Sequence, residues 1–96
     1  MANALVSIQI LPDTQDGKDR IPLIDEAIKV IAESGVKYEV NPLETTMEGK
    51  LSELLSIVEK MNDRMVELGA KSIISQVKIY YRPEGASMDK LTEKYR

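Results

Sequence analysis

The chain has 96 residues, 43% of them hydrophobic and 30% charged, with a net charge of −3 and a pI near 5.0. That length fits one domain over residues 1–96, able to bury roughly 60–70% of its unfolded surface without staples. Without Cys or His it lacks disulfides, thiolate and imidazole nucleophiles and the usual zinc ligands, and its 13 basic residues are scattered among 16 acidic ones rather than gathered into the basic face of a nucleic-acid binder.

The elements follow in chain order. Residues 1–5 lack a basic stretch leading into a long apolar run, so no signal peptide is expected, and no segment approaches the ~18 apolar residues of a membrane span. Residues 5–11 alternate with period 2 and are rich in β-branched side chains, a strand that Pro12 stops before a polar loop at 13–19. Pro22 suits the first turn of a helix. Ile21, Ile24, Ile28 and Ile31 then form one apolar stripe that ends near Ser34, with Gly35 as the stop. Val36, Tyr38 and Val40 alternate with polar residues as a second strand. Pro42 interrupts it, and a tight turn around Asn41–Pro42 or Leu43–Glu44 leads to a short third strand at 45–48.

The clearest helix spans residues 50–68. Leu51, Leu54, Leu55, Val58, Met61, Met65 and Leu68 keep helical spacing, and Gly69 follows as the stop. A last strand covers 72–81. Residues 86–96 add a helical turn or two, with Ser87 as N-cap and Met88, Leu91 and Tyr95 on one side. With neither Phe nor Trp, the core is built from Ile, Val, Leu and Met.

The order predicts an α+β fold: a ferredoxin-like βαββαβ domain, a four-stranded antiparallel sheet with two helices on one face and a short C-terminal helical extension. The other face then carries Leu5, Ser7, Gln9, Leu11, Ile74, Gln76, Lys78 and Tyr80, a mixture of uncharged polar and large apolar side chains. The last strand is long and nearly charge-free and falls at a sheet edge, which predicts self-association.

Glu44, Thr45, Thr46, Glu48 and Gly49 form the most unusual cluster. Thr hydroxyls donate and accept, a carboxylate accepts twice, and together they suit an amino-heterocycle. Turn chemistry, with Glu48 capping the start of the following helix, accounts for the same residues and is the more economical reading of residue type alone. The carboxylate pairs Asp25/Glu26, Glu44/Glu48 and Glu53/Glu59 show no sign of the burial that acid–base work requires. Glycines never take a phosphate-loop spacing. Lys18 to Arg20 reads as a solvated basic patch.

The runs Ala4-Leu5-Val6-Ser7-Ile8-Gln9-Ile10-Leu11-Pro12 and Tyr38-Glu39-Val40-Asn41-Pro42-Leu43-Glu44-Thr45-Thr46-Met47-Glu48-Gly49 resemble the YkoF-like thiamine-binding protein family. Leu68-Gly69-Ala70 and Val77-Lys78-Ile79 fit as well, so the resemblance covers residues 3–82. It implies a ferredoxin-like subunit that dimerises through its sheet, often doubles into a tetramer, and binds thiamine or its hydroxymethylpyrimidine part without turnover. Thr45 is the first ligand-binding residue it implies, followed by Thr46 and Glu48. Ser7 and Gln9 enter by their place on the neighbouring strand, and Tyr38 as an aromatic to stack on a pyrimidine. Residues 84–96 are expected to depart from the shorter family pattern and to cap the sheet edge or a subunit boundary.

The resulting expectation is a cytoplasmic, non-catalytic binding protein with no catalytic residues, metal or cofactor. Thiamine or a related pyrimidine is its ligand, held near a subunit interface of a dimer or tetramer, without nucleic-acid or membrane partners. The alternative is an oligomeric interaction or regulatory module whose open sheet serves assembly or a protein partner. An enzyme built on carboxylates, Tyr or Lys stands third.

Overall fold

Alternation along the first strand decides the architecture, because it sends Ala4, Val6, Ile8 and Ile10 to one side and Leu5, Ser7 and Gln9 to the other. The computed structural model describes residues 2–14 and 19–96; Lys18 and most of the polar loop expected at 13–19 lie outside them. Strand β1 (Ala4–Pro12) is followed by α1 (Ile21–Ser34), β2 (Lys37–Val40), β3 (Thr45–Gly49), α2 (Leu51–Glu67) and β4 (Ile73–Tyr81). A short helix α3 (Met88–Thr92) and a final 3-10 turn (Glu93–Tyr95) close the chain. The sheet order is β2-β3-β1-β4, with every neighbouring pair antiparallel. The result is an α+β structure whose element order fits a ferredoxin-like fold. Among the described residues no helix is long and apolar enough to cross a membrane.

Both long helices lie on one face. Ala4, Val6, Ile8 and Ile10 of β1 and Met47 of β3 pack against Ala27 and Ile31 of α1 and against Leu54, Ile57, Met61 and Met65 of α2. Each Val, Ile, Leu or Met among them contributes roughly 1.5–3 kcal/mol when fully buried, and each Ala less. The expected stripe of α2 shifts by a fraction of a turn. Ile57 joins the core, whereas Leu55 is 41% exposed and Leu68 sits beyond the last helical residue, also exposed. At ~100° per residue the line through Leu54, Ile57, Met61 and Met65 leaves Leu55 on the flank. In α1, Ile21 is exposed at the first turn, and Leu23 and Val30 pack against the core in its place.

The helix ends are settled locally and at long range. Gly35 takes φ +84° after α1, and Gly69 takes φ +99° after α2. Behind α2 the Gly69 N–H donates to Val66 O and the Ala70 N–H to Met65 O, a Schellman closure that needs the left-handed residue. The start of α2 has no side-chain cap from Lys50. Instead Asn3 Oδ1 accepts from the Leu51 N–H at 2.9 Å, across 48 positions of sequence. Glu48, the sequence candidate for that cap, is used elsewhere.

The outer strand β4 is held by β1 alone on one side and by Ser75, whose hydroxyl donates to Asn62 Oδ1 of α2 at 3.0 Å. The helices leave its core-side residues Val77, Ile79 and Tyr81 exposed, so β4 shows apolar surface on both faces and an unpaired edge.

Candidate functional site

The side of the sheet away from α1 and α2 is a grid set by strand register. One row runs Lys37–Glu48–Leu5–Tyr80 from β2 to β4, and the next Glu39–Thr46–Ser7–Lys78. Gln9 and Gln76 pair in a third row, and Leu11 and Ile74 in a fourth. Paired residues on neighbouring strands have Cα atoms roughly 4.5–5.5 Å apart, and successive rows on one face are about 6.8 Å apart. The sequence expectation for this face therefore holds residue by residue on β1 and β4.

At one end the C-terminal segment crosses this face as a strap. Its Ala86 N–H donates to Ala2 O, and Ala86 and Met88 bury Leu5 to 7% exposure in a second, small apolar cluster. Glu48 Oε1 accepts from the Met88 N–H at 2.8 Å. Asp89 pairs with Lys37, and Arg96 Nη1 reaches Glu39 Oε1 at 2.7 Å. Asp89 holds the Lys37 ammonium above its ordinary range, and Glu39 does the same for Arg96. Ser87 is the N-cap of α3 as expected, its Oγ accepting from the Lys90 N–H. The strap lies over the sheet face, from the end of β4 to β2, rather than capping an edge.

Beyond the strap the face is open. A hollow of about 200 Å³ is lined by Leu5, Ser7, Glu44, Thr46, Lys78 and Tyr80. A larger one of about 430 Å³ adjoins it, lined by Gln9, Leu43, Glu44, Gln76, Val77 and Lys78. The two share Glu44 and Lys78. Glu44 belongs to the β2–β3 turn, which the Asn41 N–H closes by donating to Glu44 O at 2.9 Å. Lys78 has no salt bridge to any described residue. Hydroxyl, amide, carboxylate and ammonium groups thus converge on a ledge walled by Leu43 and Tyr80.

The residues singled out from sequence divide between the two faces. Ser7, Gln9, Thr46 and Glu48 share the open face, with Ser7 and Thr46 directly opposed. Thr45 and Tyr38 are on the helix side, because Thr45 pairs with Ile8 and Val40, and Tyr38 with Met47. Thr45 is buried there, beside a 140 Å³ cavity lined in part by Ile24, Ile28 and Pro42. Thr45 and Thr46 thus present their side chains to opposite faces of the sheet. From sequence, Lys78 falls on this face without being marked as a site residue, and Glu44 belongs to the cluster suited to an amino-heterocycle, for which turn chemistry is the more economical reading. The signal for Lys78 was its place as the one charge in the 73–81 run; Glu44 had none that separates it from the turn.

These features define a small α+β domain with one helix-covered sheet face and one open, polar-floored face. The chain belongs to the YkoF-like thiamine-binding protein family: the family model described as "Thiamine-binding protein" matches residues 6–96. That match takes in residues 84–96, so the strap is part of the family pattern and not a departure from it. A UPF0045 protein of Clostridium perfringens is 47% identical over 91 residues, 95% of each chain. Among solved structures, a domain of unknown function (DUF77) from Bacillus cereus superposes with a TM-score of 0.91 at 39% identity, covering 100% of this chain and 93% of its own. A Thermotoga maritima protein named as a candidate thiamine biosynthesis/salvage protein gives 0.87 at 35% identity, with 98% and 99% covered.

Proposed function

We propose that the protein binds thiamine or its hydroxymethylpyrimidine moiety, without turning it over, on the open sheet face around Ser7, Gln9 and Thr46. The observation that carries this reading is the opposed pair Ser7 and Thr46 in one hollow with Glu44, in a chain of the thiamine-binding family. An aminopyrimidine requires a donor and an acceptor side by side. Two neighbouring hydroxyls supply both, because each O–H can rotate to suit. The Glu44 carboxylate adds an acceptor for the pyrimidine's amino group, and Leu43 and Tyr80 offer apolar walls. Glu48 belongs to the same face but spends one oxygen on the strap, so its part in the site is to hold that wall.

The hollow is shallow for a complete small-molecule site, and β4 beside it carries an unpaired edge with Val77, Ile79, Tyr80 and Tyr81 exposed. A second copy covering β4 deepens the site and places the ligand near a subunit boundary. That edge is also what favours the second reading, a module whose sheet serves assembly alone.

Calorimetric titration with thiamine and with hydroxymethylpyrimidine tests the proposal. Saturable heat with either ligand supports it. Silence with both at ligand well above micromolar, in a protein that still self-associates, leaves the assembly reading.

A further inference from the structure

The end of β4 and the strap line a further cavity, of about 380 Å³, formed by Tyr80, Arg82, Glu84, Gly85, Ala86, Ser87, Lys90 and Leu91. Nothing in the thiamine reading uses it. Its polar lining is dominated by donors. Arg82 spends one N–H on Gly85 O at 2.9 Å, and its second nitrogen stands 3.9 Å from Glu84, a carboxylate that is 87% exposed. The remaining guanidinium donors take no other partner among the described residues, and an exposed pair at that distance is easily exchanged for a better acceptor. Lys90 makes no salt bridge to a described residue. Ser87 accepts from the Lys90 N–H, which leaves its own proton to give.

The donors are held together by folding and not by chance exposure. The Gly85 N–H donates to Arg82 O at 2.9 Å and closes the turn that brings the chain back over the sheet. The Leu5–Ala86–Met88 cluster, the Glu48–Met88 hydrogen bond and the Lys37–Asp89 pair then fix α3, with Ser87 and Lys90 opposite Arg82. Tyr80 lines both this cavity and the Ser7–Thr46 hollow, so the two meet at one side chain. Arg82 follows Lys78 by four residues, a separation of about 13 Å along an extended chain. A two-ring ligand with a phosphorylated arm is of that order of length.

We propose that this cavity receives a phosphate or diphosphate group, so that the protein takes the phosphorylated form of its ligand in preference to the free alcohol. Arg82 presents a planar donor fork suited to phosphate oxygens, Lys90 adds a mobile point charge, and the Ser87 hydroxyl completes the set. Glu84 is displaced from Arg82 as the anion enters. The identity of the ligand's ring portion rests on the thiamine reading; the anion site does not.

Titration of the full chain with thiamine, thiamine diphosphate and inorganic pyrophosphate separates the two. The diphosphate is expected to bind roughly tenfold or more tightly than thiamine, as charge-assisted hydrogen bonds to a phosphate allow. That increment disappears in the double variant Arg82→Gln/Lys90→Gln and grows in Glu84→Gln, with circular dichroism confirming each fold. Pyrophosphate that binds in an Arg82- and Lys90-dependent way, while thiamine is silent, upholds the anion site and removes the thiamine reading. Equal affinity for thiamine and its diphosphate with no pyrophosphate binding overturns the proposal, and so does a diphosphate increment that survives the double variant.

Discussion

Glu48 on β3 accepts a hydrogen bond from the Met88 backbone at 2.8 Å and thereby fastens the C-terminal strap across the open sheet face. A carboxylate oxygen on the first N–H of a helix is a charge-assisted bond to a group with no partner of its own in that helix. Glu48→Ala is expected to destabilise the protein by about 1–2 kcal/mol and to loosen residues 84–96 selectively. Hydrogen exchange reads this directly: amides of α3 should lose protection while those of β1 and α2 keep theirs. Uniform loss across the chain would show that the strap is not a separate unit.

The two apolar clusters differ in size, and truncation should rank them. Met65 is fully buried in the main core, so Met65→Ala is expected to cost about 2–5 kcal/mol. Met88 belongs to the small cluster with Leu5 and Ala86, and Met88→Ala should cost less, about 1–2 kcal/mol by the same transfer argument. Chemical denaturation of both variants checks the order; equal losses would mean that the strap is as integral to the fold as α2.

Ligand binding should separate Thr46 from its neighbour. Thr46→Val and Ser7→Ala each remove one hydroxyl from the open-face hollow and are expected to weaken thiamine binding by about tenfold, the value of one hydrogen bond at a buried contact. Thr45→Val points to the helix side and should leave affinity unchanged within about twofold while altering the melting temperature. Calorimetry of the three variants decides the face. Loss of binding in Thr45→Val alone would move the site behind the sheet, to the cavity beside Ile24 and Ile28.

Acid should expose the α1–α2 tie. Glu26 takes hydrogen bonds from Lys29 and Arg64, each at 3.2 Å, and these hold its carboxyl below the ordinary value of 4.5. A carboxyl lowered in the folded state favours folding above its unfolded value, and the contribution fades as pH falls through the lowered folded value. Glu26→Gln should therefore melt below the parent at pH 6–7, with the gap closing on acidification toward pH 3. Thermal melts across that range test it; a gap independent of pH would assign the loss to packing.

The outer strand carries the assembly prediction. Light scattering is expected to give a multiple of the 10.8 kDa chain mass. Ile79 is 47% exposed on the core side of β4. Replacing it by Lys places a charge on that surface and should lower the mass without unfolding the monomer. A monomeric parent protein would remove the subunit boundary from the proposed site.

Much of this was legible in the chain itself. Period-2 alternation over residues 5–11 and 73–81 and the spacing of Leu54, Met61 and Met65 are consequences of strand and helix geometry, so they specify elements and faces before any contact forms. Gly35 and Gly69 ended their helices for an equally local reason. Ser87 announced its cap because the acceptor and the donor it serves are three residues apart.

What only the tertiary structure decided are matters of partnership at long range. Asn3 rather than Glu48 serves the start of α2, across 48 positions, and Glu48 is freed for Met88 forty positions later. Thr45 and Thr46 are equivalent as residue types; the β1–β3 register sends one to Ile8 and the other's row to Ser7, and a shift of one residue would exchange them. The strap, the hollow it borders and the meeting of Arg82 with Lys90 depend on where a closed turn returns the chain. Local propensity does not encode that direction, because it is set by the Leu5–Met88 contact and by charges on β2 and β3.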